Sequence, residues 1–297
     1  MKDTKIQWHP GFVSAMNLEL MKYRESLEFE KEYNLNTKPL EIDLLIIKKD
    51  AGIDIDNEIG RLFRGHNIME YKSPGDRLDI DVFYKTGAYA GLYKSYGSTV
   101  DERKAEDLTV SLVREAKPEG LFEYFREHGY RLFNPYKGIY YVEGNVLFPT
   151  QIIVTKELDE KNHVWLRALS GDVETKDARL LLEKMKGLNE KGDQELAEAV
   201  LEVMMAANET LIEDWKGDET MLEALMEIME PQLRQREENW REKGREEGRK
   251  EGRKEGMRAG ICGAVEMLRG LGHSDEDIKA IIMNKYELTE EDVLEYF

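Results

Sequence analysis

Two short stretches hold residue types suited to chemistry, Glu41-Ile42-Asp43-Leu44-Leu45-Ile46-Ile47 and Ile68-Met69-Glu70-Tyr71-Lys72. An aspartate at the head of an apolar strand is costly to bury unless something pairs with it. Residues two apart in a strand share a face, so Glu70 and Lys72 project together. If the two strands are neighbours, Asp43, Glu70 and Lys72 converge. Two carboxylates are hard oxygen donors suited to Mg²⁺ or Mn²⁺. Such an ion acidifies a bound water and stabilises charge on a phosphodiester under attack. The lysine can orient that water or neutralise the developing charge. Glu19 lies on or beside the apolar face of the first expected helix, between Met16 and Tyr23, and is a further candidate ligand. Each signal has a bland counterpart: a Glu-X-Lys on a strand is commonly a surface ion pair, and an aspartate at a strand start is often a turn residue. The combination is the specific signal, helix Glu, strand Asp and strand Glu-X-Lys in that order, closed by Ser73-Pro74-Gly75-Asp76.

The elements that must position these groups follow from periodicity. Phe12, Met16, Leu20, Tyr23 and Leu27 predict a helix over 11–31. Leu40 to Lys48, almost continuously apolar, predicts a strand covered on both faces. A short helix over Asn57 to Arg64 and a strand over Asn67 to Lys72 follow, then a helix over Leu78 to Ser95 whose small residues would let it lie close to a sheet. Further strands are expected at Leu108 to Arg114, Tyr130 to Phe133, Gly138 to Val142 and Gln151 to Val154, with a helix at Leu121 to His128. Beyond residue 174 the pattern is helical throughout: Lys176 to Leu188, Gln194 to Trp215 and Thr220 to Met229, with a bend expected at Pro231.

The sequence is 35% charged with a formal net charge of −18, which argues against a protein that coats nucleic acid electrostatically. It leaves room for an enzyme with a local cationic path. No apolar run reaches the roughly 18 residues of a membrane span. The N-terminal residues show no apolar signal region, so a cytoplasmic location is expected. Cys262 is the lone cysteine, which excludes an intrachain disulfide framework and a cysteine-rich zinc site.

Pro39 to Lys49 (PLEIDLLIIKK) and Asn67 to Lys94 (NIMEYKSPGDRLDIDVFYKTGAYAGLYK) together resemble the PD-(D/E)XK nuclease superfamily, and more narrowly bacterial recombination-promoting nucleases and transposase-like proteins. The resemblance covers roughly the first 115 residues well and the remainder loosely. Ile42 stands before Asp43, so the literal Pro-Asp pair is absent. The resemblance implies an α/β, restriction-endonuclease-like core, a four-stranded mixed sheet flanked by helices, followed by an α-helical C-terminal region. It also implies Asp43, Glu70 and the Tyr71 main-chain carbonyl as ligands of Mg²⁺ or Mn²⁺, Lys72 as the catalytic lysine, and Glu19 as a first-helix acid. Lys85 and Tyr89 are then candidate phosphate contacts, as are Lys48 and Lys49. The activity implied is endonucleolytic cleavage of DNA in recombination or a mobile-element setting. The alternatives are a non-catalytic DNA- or protein-binding regulator that keeps the fold, and an assembly protein.

The expected domains are 1–170 for the nuclease-like part, 171–230 for a helical extension, 231–258 for a charged repeat and 259–297 for a small helical module. In the repeat REKGREEGRKEGRKEG, Gly244, Gly248, Gly252 and Gly256 recur every four residues. Glycine in a helix costs about 1 kcal/mol relative to alanine. The segment therefore reads either as a close helix–helix contact in a homo-oligomer or as a flexible charged linker. His66, Arg61 and Arg64 are weaker candidates near the site, while Trp165 and Trp215 read as core.

Overall fold

The computed structural model describes residues 6–35, 41–50, 52–208 and 219–297, so Pro39, Leu40 and Trp215 lie outside the described residues. The chain forms two compact units, residues 1–228 and 229–297.

The first unit is built on one seven-stranded mixed sheet rather than a four-stranded one. The strands are β1 (Leu27–Asn34), β2 (Glu41–Lys48), β3 (His66–Lys72), β4 (Leu108–Arg114), β5 (Arg131–Tyr136), β6 (Ile139–Glu143) and β7 (Thr150–Val154). Their order across the sheet is β1-β2-β3-β4-β7-β6-β5. Strands β3, β4 and β7 run parallel, and the neighbours on either side pair antiparallel. Two additions account for the greater width. Strand β1 extends one side, and the β5–β6 hairpin extends the other beyond β7. The hairpin turns through Gly138 at φ 76°, where a Cβ would lie 2.7 Å from the Leu158 main-chain nitrogen.

Strand β1 replaces the second half of the helix expected over 11–31. The helix α1 spans only Trp8–Glu19, and a 3₁₀ turn over Met21–Ser26 follows it. In LEFEKEYN, Leu27 and Phe29 alternate with Glu28 and Glu30, the period-two pattern of a strand, and Glu32 at φ 49° breaks the alternation before Tyr33. Tyr23 and Leu27 also satisfy a four-residue spacing, which is why the helical reading ran on.

Helices cover both faces. On one, α2 (Ile80–Ser95) and α3 (Glu119–Glu127) bury Phe83, Tyr89, Tyr93, Phe122 and Phe125 against Ile68, Val110, Leu112 and Ile152. The contact of α2 is made by its large residues and Ala90. Gly87 and Gly91 face open space, contrary to the expectation that they allow close approach. On the other face, α1 stacks Phe12 on Tyr71 at 4.6 Å. It also packs against α4 (Val164–Arg167) and α6 (Lys191–Ala207), with α5 (Thr175–Lys186) beside them. Gly11 permits the α1–α6 approach, since a Cβ there would meet Val203 Cγ2 at 2.8 Å. Helices α5 and α6 lie within the first unit. Trp165 is buried, as its core reading required.

The helix α7 runs unbroken over Glu219–Gly270, so the backbone stays helical through Pro231 where a bend was expected. Gly244, Gly248, Gly252 and Gly256 lie within it, each with open space where a Cβ would stand. In the second unit, Ile261 and Val265 pack on Ile278, Ile282 and Val293 of α8 (Asp275–Tyr286) and α9 (Glu290–Leu294). Ser274 caps α8, and Thr289 with Asp292 forms a capping box on α9, as the acid-rich starts suggested. Among the described residues no helix is long and apolar enough to cross a membrane.

Candidate active site

The site forms where β2 and β3 part. Their antiparallel ladder ends at Leu44↔Met69. Beyond it, Asp43 lies close enough to Glu70 for their charges to interact. In place of a ladder bond, the Asp43 carboxylate Oδ2 accepts the Tyr71 main-chain N–H at 2.9 Å. A strand residue's N–H and C=O point to the same edge, so the Tyr71 carbonyl also faces the β2 side. The three oxygen donors suggested by the sequence, Asp43, Glu70 and the Tyr71 carbonyl, are thus placed at one strand end.

Glu70 is only 2% exposed, and its Oε1 accepts Lys72 Nζ at 2.6 Å and Lys85 Nζ at 3.2 Å. Glu70 and Lys72 project together from β3, as the two-residue spacing required, and Lys85 reaches them from α2. Burial pulls the Lys85 ammonium down, but the charge and hydrogen bond of Glu70 outweigh it, and its pKa ends above the ordinary lysine value. Lys85 also lies over the Tyr89 ring at 5.1 Å, and Tyr89 itself is packed in the core. Burial, then the nearby Glu70 charge, raises the Asp43 carboxyl above the usual range, against the opposing pull of the Tyr71 N–H, His9 and Lys72. Two neighbouring carboxylates beside a main-chain oxygen are a donor set that a small divalent cation fits. Among the described residues no group of three or more His, Cys, Asp or Glu side chains is placed to hold a metal. A cation here would keep several water ligands, as Mg²⁺ commonly does.

Glu19 is not part of this constellation. The start of α1 faces Asp43, with His9 Nε2 at 3.7 Å from its Oδ2. Glu19 ends the same helix, roughly 15 Å further along at 1.5 Å per residue. Its carboxylate, 1% exposed, is bound to His163 Nδ1 at 3.0 Å, and His163 Nε2 meets Glu58 Oε2 at 3.1 Å. These three groups border a separate cavity of about 320 Å³. Burial lowers the His163 pKa, but its hydrogen bonds and charge contacts with Glu19 and Glu58 carry it above the ordinary value. The three segments are far apart in sequence, so no spacing announces the cluster.

The other candidates are also elsewhere. Lys48 lies at the far end of β2, roughly 16 Å from Asp43 at strand rise, and donates to the Ile53 carbonyl at 2.9 Å. Lys49 follows it, its main-chain N–H bonded to the Ser26 carbonyl. His66 opens β3 and bonds Tyr93 Oη at 2.9 Å. Arg61 is paired with Asp54 and Asp56, and Arg64 with the Glu106 carbonyl. His9 was missed, although His9, Phe12 and Met16 follow the helical spacing that marks the sheet-facing side of α1. Comparison of the chain with protein-family models, curated proteins and solved structures finds no match.

Proposed function

We propose that this chain is a metal-dependent endonuclease that hydrolyses phosphodiester bonds in DNA. The observation that carries the reading is the approach of Asp43 to Glu70 where β2 and β3 part, with Asp43 on the Tyr71 N–H and Lys72 on Glu70. Mg²⁺ or Mn²⁺ held by these carboxylates and the Tyr71 carbonyl would supply Lewis acidity and an acidified water. Asp43 keeps one carboxylate oxygen fixed by the Tyr71 N–H, which orients the other. Lys72 holds a proton beside Glu70, where it can donate to the attacking water or to a phosphoryl oxygen. Lys85, 46% exposed, is placed to meet a substrate phosphate. To His9, whose Nε2 is 3.7 Å from Asp43 Oδ2, we assign the acceptance of the proton that water gives up. Water adds across the P–O3′ bond, leaving a 5′-phosphate and a 3′-hydroxyl. The setting we propose is recombination or mobile-element DNA processing.

Plasmid DNA incubated with Mg²⁺ or Mn²⁺ and either wild type or Lys72→Ala tests the reading. Cleavage by wild type that the variant lacks supports it; no cleavage with either metal by a folded wild type rejects it. A second reading is a non-catalytic regulator. Two ammonium groups already on Glu70 favour it, since that carboxylate is satisfied without a metal.

A further inference from the structure

Beside the carboxylate pair lies a groove of about 320 Å³ between the starts of α2 and α3. This is at the small end of the roughly 300–1,000 Å³ range of ligand pockets. Leu78, Ile80 and Leu121 supply its apolar lining, and Arg77, Arg114 and Lys117 its cations. Lys72 and Arg114 are register partners in the parallel pair β3–β4. Their side chains therefore leave the sheet on one face, from strands about 5 Å apart. The groove adjoins the site at the carboxyl ends of the parallel strands, where open α/β sheets bind ligands.

Arg114 and Lys117 are held by uncharged groups. Arg114 donates to the Asp76 and Ala116 carbonyls, each at 3.1 Å. Lys117 Nζ rests over the Phe122 and Tyr140 rings at 5.5 and 5.2 Å. Arg77 is exposed. Of the two acids at the groove, Asp79 is engaged in capping α2 through the Val82 N–H, which leaves Glu119. In a chain of net charge −18, the lining of this apolar hollow carries three cations against two acids.

We propose that this groove takes one nucleotide unit of a single-stranded nucleic acid, its phosphate on Arg77 and Lys117 and its base over Leu78, Ile80 and Leu121. The next phosphodiester is thereby presented to Lys72. The choice of polymer rests on the nuclease reading. The choice of single strand rests on the hollow: an unpaired base offers its faces to an apolar surface, whereas a duplex keeps them stacked.

The test is fluorescence anisotropy on the full chain, without divalent metal, using a labelled oligothymidylate and a duplex of equal length. The variants are Arg77→Glu and Arg77→Glu/Lys117→Glu. We expect the single strand to bind more tightly than the duplex, and the double substitution to weaken it at least tenfold. The dependence of log affinity on log salt should fall by about 0.7, the value for one phosphate contact on a single strand. Circular dichroism checks folding, and the single Arg77→Glu variant, changed only at an exposed position, serves if the double one misfolds. Unchanged affinity and salt slope, a duplex preference, or no binding of either DNA by wild type overturns the proposal. Cleavage assays separate it from the catalytic reading. Groove variants that lose binding beside a wild type inert with metal reject catalysis alone. Variants that bind and cleave like an active wild type reject the groove alone.

Discussion

Lys72→Ala makes two separable demands on the site. Glu70 is 2% exposed, interacts with the Asp43 charge, and receives Lys72 at 2.6 Å and Lys85 at 3.2 Å. Stripping one partner from a buried ion pair costs about 3–5 kcal/mol, because a charge is left uncompensated. Lys85 remains, but it is 46% exposed and its attraction is screened. We therefore expect a loss of about 2–3 kcal/mol in the first compact unit, below the full cost of an unpaired buried charge. With the ammonium gone, the two carboxylates attract a divalent cation more strongly. A ligand at a hundred times its Kd stabilises by about 2.7 kcal/mol, enough to offset that loss. Urea denaturation followed by tryptophan fluorescence, with EDTA or with saturating Mg²⁺, reads both effects. The variant should be destabilised in EDTA, restored by Mg²⁺, and inactive on DNA in either case. The Glu70→Gln/Lys72→Ala variant should show neither the loss nor the restoration. Wild-type stability in EDTA, or a loss that Mg²⁺ leaves unrepaired, refutes the reasoning.

Asp43→Asn keeps an acceptor for the Tyr71 N–H and removes the charge that burial and Glu70 oppose. It should leave stability unchanged or raise it by up to about 1 kcal/mol at neutral pH while abolishing cleavage; thermal melts and plasmid assays decide. A carboxyl with a raised folded pKa favours the folded state below its unfolded value near 3.8 and loses that contribution as pH rises through the folded value. The Asn variant should lack this acid-side gain in melts across pH. His163 also has a raised folded pKa, so its contribution is complete below about 6.5 and fades as pH rises through the folded value. Melting temperatures from mildly acid to alkaline pH should fall less in His163→Gln than in wild type, and equal slopes would count against the Glu19–His163–Glu58 clamp. Tyr71→Phe removes a buried hydroxyl that has no hydrogen-bond partner among the described residues and leaves the Tyr71 main chain in place. It should preserve cleavage and cost under about 1 kcal/mol, measured by denaturation. Arg167 forks onto Asp177 at 3.0 and 2.6 Å within the core, so Arg167→Met should lose about 3–5 kcal/mol in the same measurement.

The grouping of Asp43, Glu70 and Lys72 at the strand ends was legible because it is local. Asp43 heads an apolar strand, and Glu70 and Lys72 share a face by two-residue spacing; both patterns survive folding directly. Strands β2, β3 and β4 were legible for the same reason, since buried strands read as apolar runs. Glu19 was misplaced because periodicity gives the face of a helix but not which end meets the sheet. The approach of His9 to Asp43, the His163 cluster and the groove at Arg77 and Arg114 are contacts between distant segments. Only the sheet order brings them together, and no local spacing encodes that order. Strand β1 was lost where helical and alternating patterns overlap at Tyr23 and Leu27.

The central claim is that Asp43 and Glu70 jointly hold a divalent cation. Calorimetric titration of Mn²⁺ into the full chain tests it most directly, with Asp43→Asn and Glu70→Gln as comparisons. The account predicts a binding isotherm for wild type that both folded variants abolish. Heat of binding that persists in both variants, or none in wild type, contradicts it.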